Sequence, residues 1–291
     1  MVRLLIFLPI GMIAVSTASI FIKLCEAPSL IIATYRMIFA SLLLLPVVSY
    51  QKTWRSWNRK EIGWLMLSGF FLSLHFASWI TSLKFTSVAS SVVLVTTHPI
   101  FVGLGAWLFL KEPLGINLIL GILFSVLGSA LISYGDMTLS NEALMGDGLA
   151  LVGAMTASGY FLVGRKMRRN QDLLSYIFPV YSTAGLALVL FSLLFQKSFL
   201  GYSTTTYLFM FLLALVPQLI GHTTFNWALR YLPASMVAIT ILGEPIGSTF
   251  LAYFILGEKL TLLKILGGIF IFAGILIALK KKMSNTLVDP G

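Results

Sequence analysis

The sequence predicts an all-α membrane protein with ten transmembrane helices, arranged as two inverted five-helix repeats. Of its 291 residues, 58% are hydrophobic and only 10% are charged, and the mean hydropathy is +0.95. An ordinary soluble domain carries about 25% charged residues, and surface-to-volume scaling limits how much apolar surface a soluble protein can bury. A soluble enzyme, a disordered chain and a nucleic-acid-binding domain are therefore all poor interpretations.

Ten apolar runs are long enough to cross a bilayer. A membrane-spanning helix needs about 20 mostly apolar residues, because its backbone polar groups must be satisfied within the segment. Only a few residues separate spans three to five and spans eight to ten, so no extramembrane domain is expected. An alternative for the first run, which follows Arg3, is a cleaved signal peptide, whose removal would leave nine spans. The predicted spans are Leu4–Ile22, Pro28–Tyr50, Ile62–Leu83, Val88–Leu110, Leu114–Tyr134, Asp147–Gly164, Leu173–Phe195, Thr205–Leu229, Ala234–Leu256 and Leu260–Leu279.

The lysine and arginine residues predict the orientation of the chain. Fourteen of the twenty lie in segments that face inward if the N-terminus is cytoplasmic, five lie in outward segments, and Arg36 lies within a span. Short cytoplasmic loops carry an excess of these residues, so both termini are predicted to be cytoplasmic. Their placement in clusters between apolar runs argues against a nucleic-acid partner. The single cysteine, Cys25, excludes an internal disulfide and a cysteine-rich metal site.

The two halves of the sequence resemble each other at a constant offset of 146 residues. Several proline, glutamate and glycine positions coincide in this register: Pro99 with Pro245, Glu112 with Glu258, Gly121 with Gly267, and Gly128 with Gly274. Each half has five predicted spans, an odd number, so the second half enters the membrane from the opposite side. Residues 1–139 and 140–291 are therefore predicted to be inverted repeats, a construction that lets secondary transporters alternate around one central site.

Two segments, Leu94–Glu112 and Ile241–Glu258, resemble the paired signatures of the EamA branch of the drug/metabolite transporter superfamily. In both, a proline-containing span leads to an aromatic-rich exit and a glutamate before the last helix of that half. The stretch Thr34–Arg36, ahead of a leucine run, is similar to the second span of the family. The resemblance implies a ten-helix inner-membrane carrier whose spans three, four, eight and nine line a central cavity, and amino acids or related metabolites are frequent exported substrates. His98 departs from the pattern, because many relatives have a smaller or uncharged residue before the proline.

Two ionisable residues precede prolines in equivalent spans. Glu244 lies in span nine before Pro245, and His98 lies at the matching place in span four before Pro99. Ionisable side chains inside a bilayer are costly and normally face a bundle interior or a watery cavity. Glu244 and His98 are therefore candidates for binding polar substrate groups or for exchanging protons as a pair, and the prolines are candidates for helix bends. The alternative is that both side chains only form hydrogen bonds between helices.

Span eight carries a stripe of polar residues. Gln218, His222 and Asn226 recur at intervals of four residues, which would place them on one face of an α-helix. Such a stripe on an otherwise apolar helix predicts contact with a water-filled path. The alternative is a polar seam between two helices.

Spans two and three supply three further candidates. His75 and Trp79 are four residues apart in span three, where the indole ring could stack on a substrate ring or a cation, or could simply fill space between helices. Arg36 in span two is permanently charged and needs an acceptor. It is predicted to anchor an acidic substrate, to pair with Glu26, or to stabilise helix packing.

No motif supports an ATP-driven pump, a zinc protease or a bound cofactor. The sequence has neither a GxxxxGK[ST] phosphate loop nor an HExxH zinc motif, and the spacing of its three histidines does not favour a metal site. The predicted function is export of a small organic, amino acid-like or drug-like solute by alternating access, without enzymatic activity, by a monomer or homodimer in the lipid bilayer. Proton coupling is left open. The alternatives are a passive facilitator or channel, a flippase for a lipid-linked substrate, and a membrane-embedded enzyme.

Overall fold

A computed structural model describes residues 2–53, 57–134, 141–257 and 261–288 as a bundle of helices, and within these ranges it contains no β-strand. Eight helical stretches are long and apolar enough to cross a membrane, and Ile116–Gly128 and Ile265–Ala278 are shorter apolar helical stretches. Glu258, which the repeat aligns with Glu112, lies outside the described residues. Glu258, lies outside the described residues. The helices are α1 (Val2–Ser16), α2 (Ala18–Lys23), α3 (Ser29–Gln51), α4 (Arg59–Phe85), α5 (Val88–Val95), α6 (His98–Leu110), α7 (Ile116–Tyr134), α8 (Asn141–Arg168), α9 (Leu173–Leu194), α10 (Thr204–Leu213), a π-helix (Ala214–His222), α11 (Thr223–Ala228), α12 (Ala234–Ile241), α13 (Glu244–Leu256) and α14 (Leu262–Val288).

Most of the predicted span boundaries agree with the helix ends to within a few residues, but α8 is longer than predicted at both ends and α14 ends at Val288 rather than at the predicted Leu279. The apolar run was predicted as Asp147–Gly164, whereas the helix is Asn141–Arg168. Glu142 lies in its first turn, and basic residues including Arg165 lie in its last turn. Charges of these signs stabilise the two ends of a helix dipole, so the helix continues beyond the apolar segment on which the prediction rested.

Spans four and nine are interrupted, and they are interrupted at matching places. Span four is divided into α5 and α6, and span nine into α12 and α13, with all four helix bounds of the second pair 146 residues after those of the first. Pro99 and Pro245 each occupy the second position of the later half-helix. Proline is well tolerated there, because its missing N–H would have no intrahelical partner. Each predicted bend is a two-residue turn in which the backbone keeps near-helical dihedrals and forms hydrogen bonds to the third residue before, as from Thr97 to Leu94 and from Gly243 to Thr240.

Span eight was predicted as a regular α-helix, and this prediction is wrong for its central part. Between α10 and α11 the chain forms a nine-residue π-helix, Ala214–His222, which contains Pro217. A proline inside a helix removes one backbone donor, and its ring crowds the carbonyl four residues earlier. The backbone N–H of Thr223 accordingly donates to the carbonyl of Gln218, five residues back. The prediction that Gln218, His222 and Asn226 share one helix face assumed α-helical geometry. It therefore does not follow from their spacing in this segment.

The last spans of the two halves, α7 and α14, cross at closely packed glycines. A Cβ atom placed on Gly121 would lie 2.6 Å from the carbonyl oxygen of Gly274, and one placed on Gly128 would lie 2.5 Å from that of Gly267. Between these contacts the hydroxyl of Ser125 donates to the carbonyl of Ile271 at 3.3 Å. The backbones therefore approach as closely as they do in membrane helix pairs built from small residues.

Candidate functional site

A cavity lies where the breaks in spans four and nine meet the neighbouring spans. It leaves about 40 Å³ for the centres of water molecules, enough for about three waters at roughly 10–15 Å³ each. Its walls come from spans one, two, three, four, six, eight and nine, which is a wider set than the four spans that the family resemblance implied. Six of the eight predicted site residues line it: Arg36, His75, Trp79, His98, His222 and Glu244.

The other two predicted site residues, Gln218 and Asn226, are fully buried behind the cavity wall. Gln218 accepts a hydrogen bond from Nε of Arg36 at 3.0 Å. The side-chain amide of Asn226 donates to the hydroxyl of Tyr160 and to the carbonyl of His222, the latter at 2.8 Å. Of the predicted stripe, only His222 reaches the cavity, while Gln218 and Asn226 hold its neighbours in place.

Arg36, on α3, lies in the wall of the cavity and has two unpartnered nitrogens. Its side chain is 0% exposed, and its guanidinium carbon lies 4.0 Å from the centroid of the Phe76 ring. Neither Nη1 nor Nη2 has a hydrogen-bond partner within the described part of the chain. Of the three predicted roles, pairing with Glu26 is not seen, because no ion pair within 4.0 Å joins the two described residues.

His98 and Glu244 are the first residues of α6 and α13, so both half-helices begin at the cavity. The partial positive charge of a helix N-terminus favours a carboxylate at the position of Glu244. Nδ1 of His98 lies 3.3 Å from the carbonyl oxygen of Val95, and its ring lies over Phe161, while Nε2 has no partner among the described residues. In the same ranges no ion pair joins His98 to Glu244, although both contact the same space.

An aromatic wall closes the side of the cavity formed by α4. The rings of His75 and Trp79 are stacked, with centroids 5.8 Å apart and planes 10° from parallel. Nδ1 of His75 lies 2.9 Å from the carbonyl oxygen of Gly153, which can only accept, so this nitrogen carries a proton. The indole Nε1 of Trp79 is buried without a hydrogen-bond partner in the described ranges. This wall can contact a flat or apolar group and still offer one N–H donor.

Sequence reasoning gave no role to a buried ionic cluster around Glu112, beyond the end of α6. Oε1 of this carboxylate accepts from Nε of Arg165 at 2.7 Å and from Nη2 of Arg169 at 3.0 Å. Its Oε2 accepts from the backbone N–H of Ala234, the first residue of α12, at 3.1 Å. The alignment of Glu112 with a second loop glutamate marked the position, but the arginine partners are distant in sequence and carried no signal.

The eight long apolar helices, together with a cavity between them that gathers charged and aromatic side chains, indicate a multi-pass membrane protein. The chain belongs to the EamA-like transporter family, which matches residues 3–134 and again residues 144–280. The family resemblance predicted from the sequence is thereby confirmed.

Several relatives in this family carry transporter names. An uncharacterized transporter of Archaeoglobus fulgidus is 26% identical over 95% of this chain and 97% of its own length. The uncharacterized transporter YdfC of Bacillus subtilis is 25% identical over 84% of this chain and 79% of its own. Solute carrier family 35 member G1 of Mus musculus is 27% identical over 77% of this chain and 64% of its own.

The fold also matches a solved crystal structure. The TM-score is 0.79 over 97% of this chain and 98% of the other, at 15% sequence identity. This match supports the helical architecture alone. The family and the relatives point to membrane transport as the class of activity.

Proposed function

We propose that this protein is a secondary transporter that moves a small organic metabolite through the central cavity by alternating access, in the direction of export. The observation that carries the proposal is the convergence of six polar or aromatic side chains from five spans on one cavity. Because ionisable groups inside a membrane are costly, a site that gathers an arginine, a glutamate and three histidines has a functional reason to exist.

The proposed architecture is ten spans in two inverted repeats, divided between residues 139 and 140. We place the protein in the inner cell membrane, with both termini in the cytoplasm. Two family matches of similar length, residues 3–134 and 144–280, support this division. The glycine contacts support the two-fold relation: Gly121 meets Gly274, and Gly128 meets Gly267, the equivalents of Gly128 and Gly121. Such reciprocal contacts are what a two-fold axis produces.

In this proposal Glu244 and His98 bind polar groups of the substrate or exchange protons, and the breaks before Pro99 and Pro245 let the half-helices shift. The Glu112 cluster links the ends of spans four, six and nine on the side predicted to be cytoplasmic. When these ion pairs separate, the cavity would open toward the cytoplasm. Alternating access in transporters built from repeats is largely a rigid-body movement of one repeat against the other around a fixed site.

The test is solute release from proteoliposomes loaded with a bacterial small-molecule extract and followed by mass spectrometry. We expect the wild-type protein to release at least one solute faster than protein-free liposomes do. Glu244→Gln and His98→Ala should each slow that release by about tenfold or more, the effect of losing one hydrogen bond to a charged group. Glu142→Gln removes an exposed carboxyl in the first turn of α8 and is the matched control.

Counterflow with the released solute then separates a carrier from a passive channel. A carrier exchanges labelled for unlabelled solute and is accelerated by solute on the opposite side, whereas a channel is not. Release that is unchanged in both the Glu244→Gln and His98→Ala proteins would remove the proposed roles of these residues. Absence of any protein-dependent release would refute the transport proposal.

A further inference from the structure

We propose that Arg36 is the specificity-determining residue of the cavity and that it selects solutes carrying a carboxylate. The inference rests on the proposed function, because it assigns a selectivity to the same site. It goes beyond that function by committing to one chemical group on the substrate and one residue that recognises it.

The first argument is the way the guanidinium is held. Nε donates to Oε1 of Gln218 at 3.0 Å, and the Phe76 ring lies against the guanidinium carbon at 4.0 Å. These two contacts fix the position of the group while using only one of its five N–H donors. The remaining donors, on Nη1 and Nη2, are buried and unpartnered among the described residues, and Arg36 lines the cavity. Two adjacent nitrogens in a planar fork match the two oxygens of a carboxylate.

The second argument is a comparison with the other buried arginine, Arg168. Its side chain is equally enclosed, but Nε donates to the carbonyl of Asn226 at 3.0 Å and Nη1 donates to that of Gln171. Within the described residues, none of its nitrogens is both buried and without a partner. An arginine that serves helix packing in this protein therefore has its donors satisfied by main-chain carbonyls, and Arg36 does not follow that pattern.

The third argument is the charge balance of the cavity. The N-termini of α6 and α13 and the C-termini of α5 and α12 all open onto this space, so their partial positive and negative charges oppose each other and the charged side chains decide the balance. Glu244 supplies the opposing charge but lies farther than ion-pair distance, 4.0 Å, from Arg36. A solute carboxylate at the Nη atoms would neutralise the buried guanidinium, and a cation without such a group would leave it unpaired.

The test compares matched acids and amides in the same release assay. Proteoliposomes are loaded with the bacterial extract together with L-leucine, L-phenylalanine, succinate and the carboxamide of each. We expect the solutes released by the wild-type protein to carry a carboxylate, and each transported acid to be released at least about tenfold faster than its amide. Arg36→Gln should reduce the preference for acid over amide to near unity, because a neutral amide side chain cannot distinguish the two by charge.

Two further variants make the result decisive. Arg36→Lys keeps the charge but not the fork, so it should retain part of the preference even if Arg36→Gln folds poorly. Arg168→Lys makes the same chemical change at the buried arginine outside the cavity and should lower thermal stability without altering the preference.

Release of solutes that lack a carboxylate, or an unchanged preference in Arg36→Gln, would overturn the role of Arg36 and leave the transport proposal intact. An equal loss of acid and amide release in both Arg36→Gln and Arg36→Lys would also overturn it, since that is the result expected for a purely structural arginine. If no solute is released at all, the transport proposal fails, and the selectivity proposal that rests on it fails with it. This outcome differs from the two above, in which release is seen.

Discussion

Glu112 shows how a single carboxylate can tie three spans together. It lies beyond the last residue of α6 and contacts two arginines at the end of α8 as well as the first backbone N–H of α12. Its side chain is 9% exposed and that of Arg165 is 13% exposed, so neither partner is well solvated. Removing the negative charge would leave Arg165 nearly buried without its counter-charge, which costs more than the loss of a surface ion pair.

We therefore expect Glu112→Gln to lower the free energy of unfolding by about 2 kcal/mol, the typical scale for a lost hydrogen bond to a charged group. Thermal unfolding in detergent, monitored by tryptophan fluorescence, measures this change. Glu142→Gln is the control, because Glu142 is exposed. Equal melting temperatures for the two variants would show that the cluster contributes nothing to stability.

At the same scale, the sequence was a good guide to which residues reach the cavity and a poor guide to how they are held. Six of the eight candidates line the space, and five of these are ionisable side chains, which have few other favourable places in a span. The partners of Arg36 and Asn226 could not be foreseen: Gln218 and Tyr160 come from spans far away in the chain. Such contacts depend on which helices pack together, and local sequence does not contain that information.

Among the helices, the prolines illustrate why the sequence alone could not give the geometry of each span. Pro99 and Pro245 begin half-helices, Pro217 lies in a π-helix, and Pro46 and Pro179 lie inside ordinary α-helices. At Pro99 and Pro245 the missing N–H has no intrahelical partner to lose, whereas inside a helix proline removes a donor and crowds the carbonyl four residues earlier. The interior prolines still differ in outcome, because only Pro217 lies in a π-helix. The repeat made the first pair predictable, whereas the π-helix had no signal.

The crossing of α7 and α14 makes a prediction for stability. In Gly128→Ala the added methyl group would collide with the carbonyl oxygen of Gly267 at 2.5 Å and with the backbone nitrogen of Ile271 at 2.8 Å. Neither atom can move without shifting a helix, so we expect a clear decrease in melting temperature, corresponding to about 1–3 kcal/mol for overpacking.

The matched control is Gly148→Ala in α8, where a Cβ atom would have nothing within 4 Å. That variant should be neutral or slightly stabilising, because alanine favours helices more than glycine does. Thermal unfolding of both variants in detergent checks the pair. A Gly128→Ala protein as stable as the wild type would mean that the helices do not cross at these glycines.

Considered as a whole, the molecule offers a direct test of its predicted orientation. Asn170 and Ser198 are exposed residues on either side of α9, so a span separates them. With cytoplasmic termini, Asn170 lies inside and Ser198 lies outside. A membrane-impermeant maleimide applied to intact cells should therefore label Ser198→Cys and not Asn170→Cys, whereas a permeant maleimide should label both. Labelling only at residue 170 would reverse the orientation, and impermeant labelling at both residues would contradict the assignment of α9 as a span.

The native cysteine does not interfere with this experiment. Cys25 lies between α2 and α3 and is buried, and burial raises the pKa of its thiol to about 12. Only the thiolate reacts with maleimides, so the reactive fraction is very small near neutral pH and grows only as the pH approaches that value. The wild-type protein should therefore remain unlabelled at neutral pH, and this serves as the background measurement.

The volume of the central cavity bears on the proposed cycle. Space for about three waters corresponds to roughly 90 Å³ of liquid, far below the volume of a solute with ten or more heavy atoms. In the proposed cycle, the cavity must therefore widen before it can bind the solute. The half-helices of spans four and nine must move apart before a solute can enter. A mutation that hinders this movement would therefore slow the transport of every solute equally, whatever its charge.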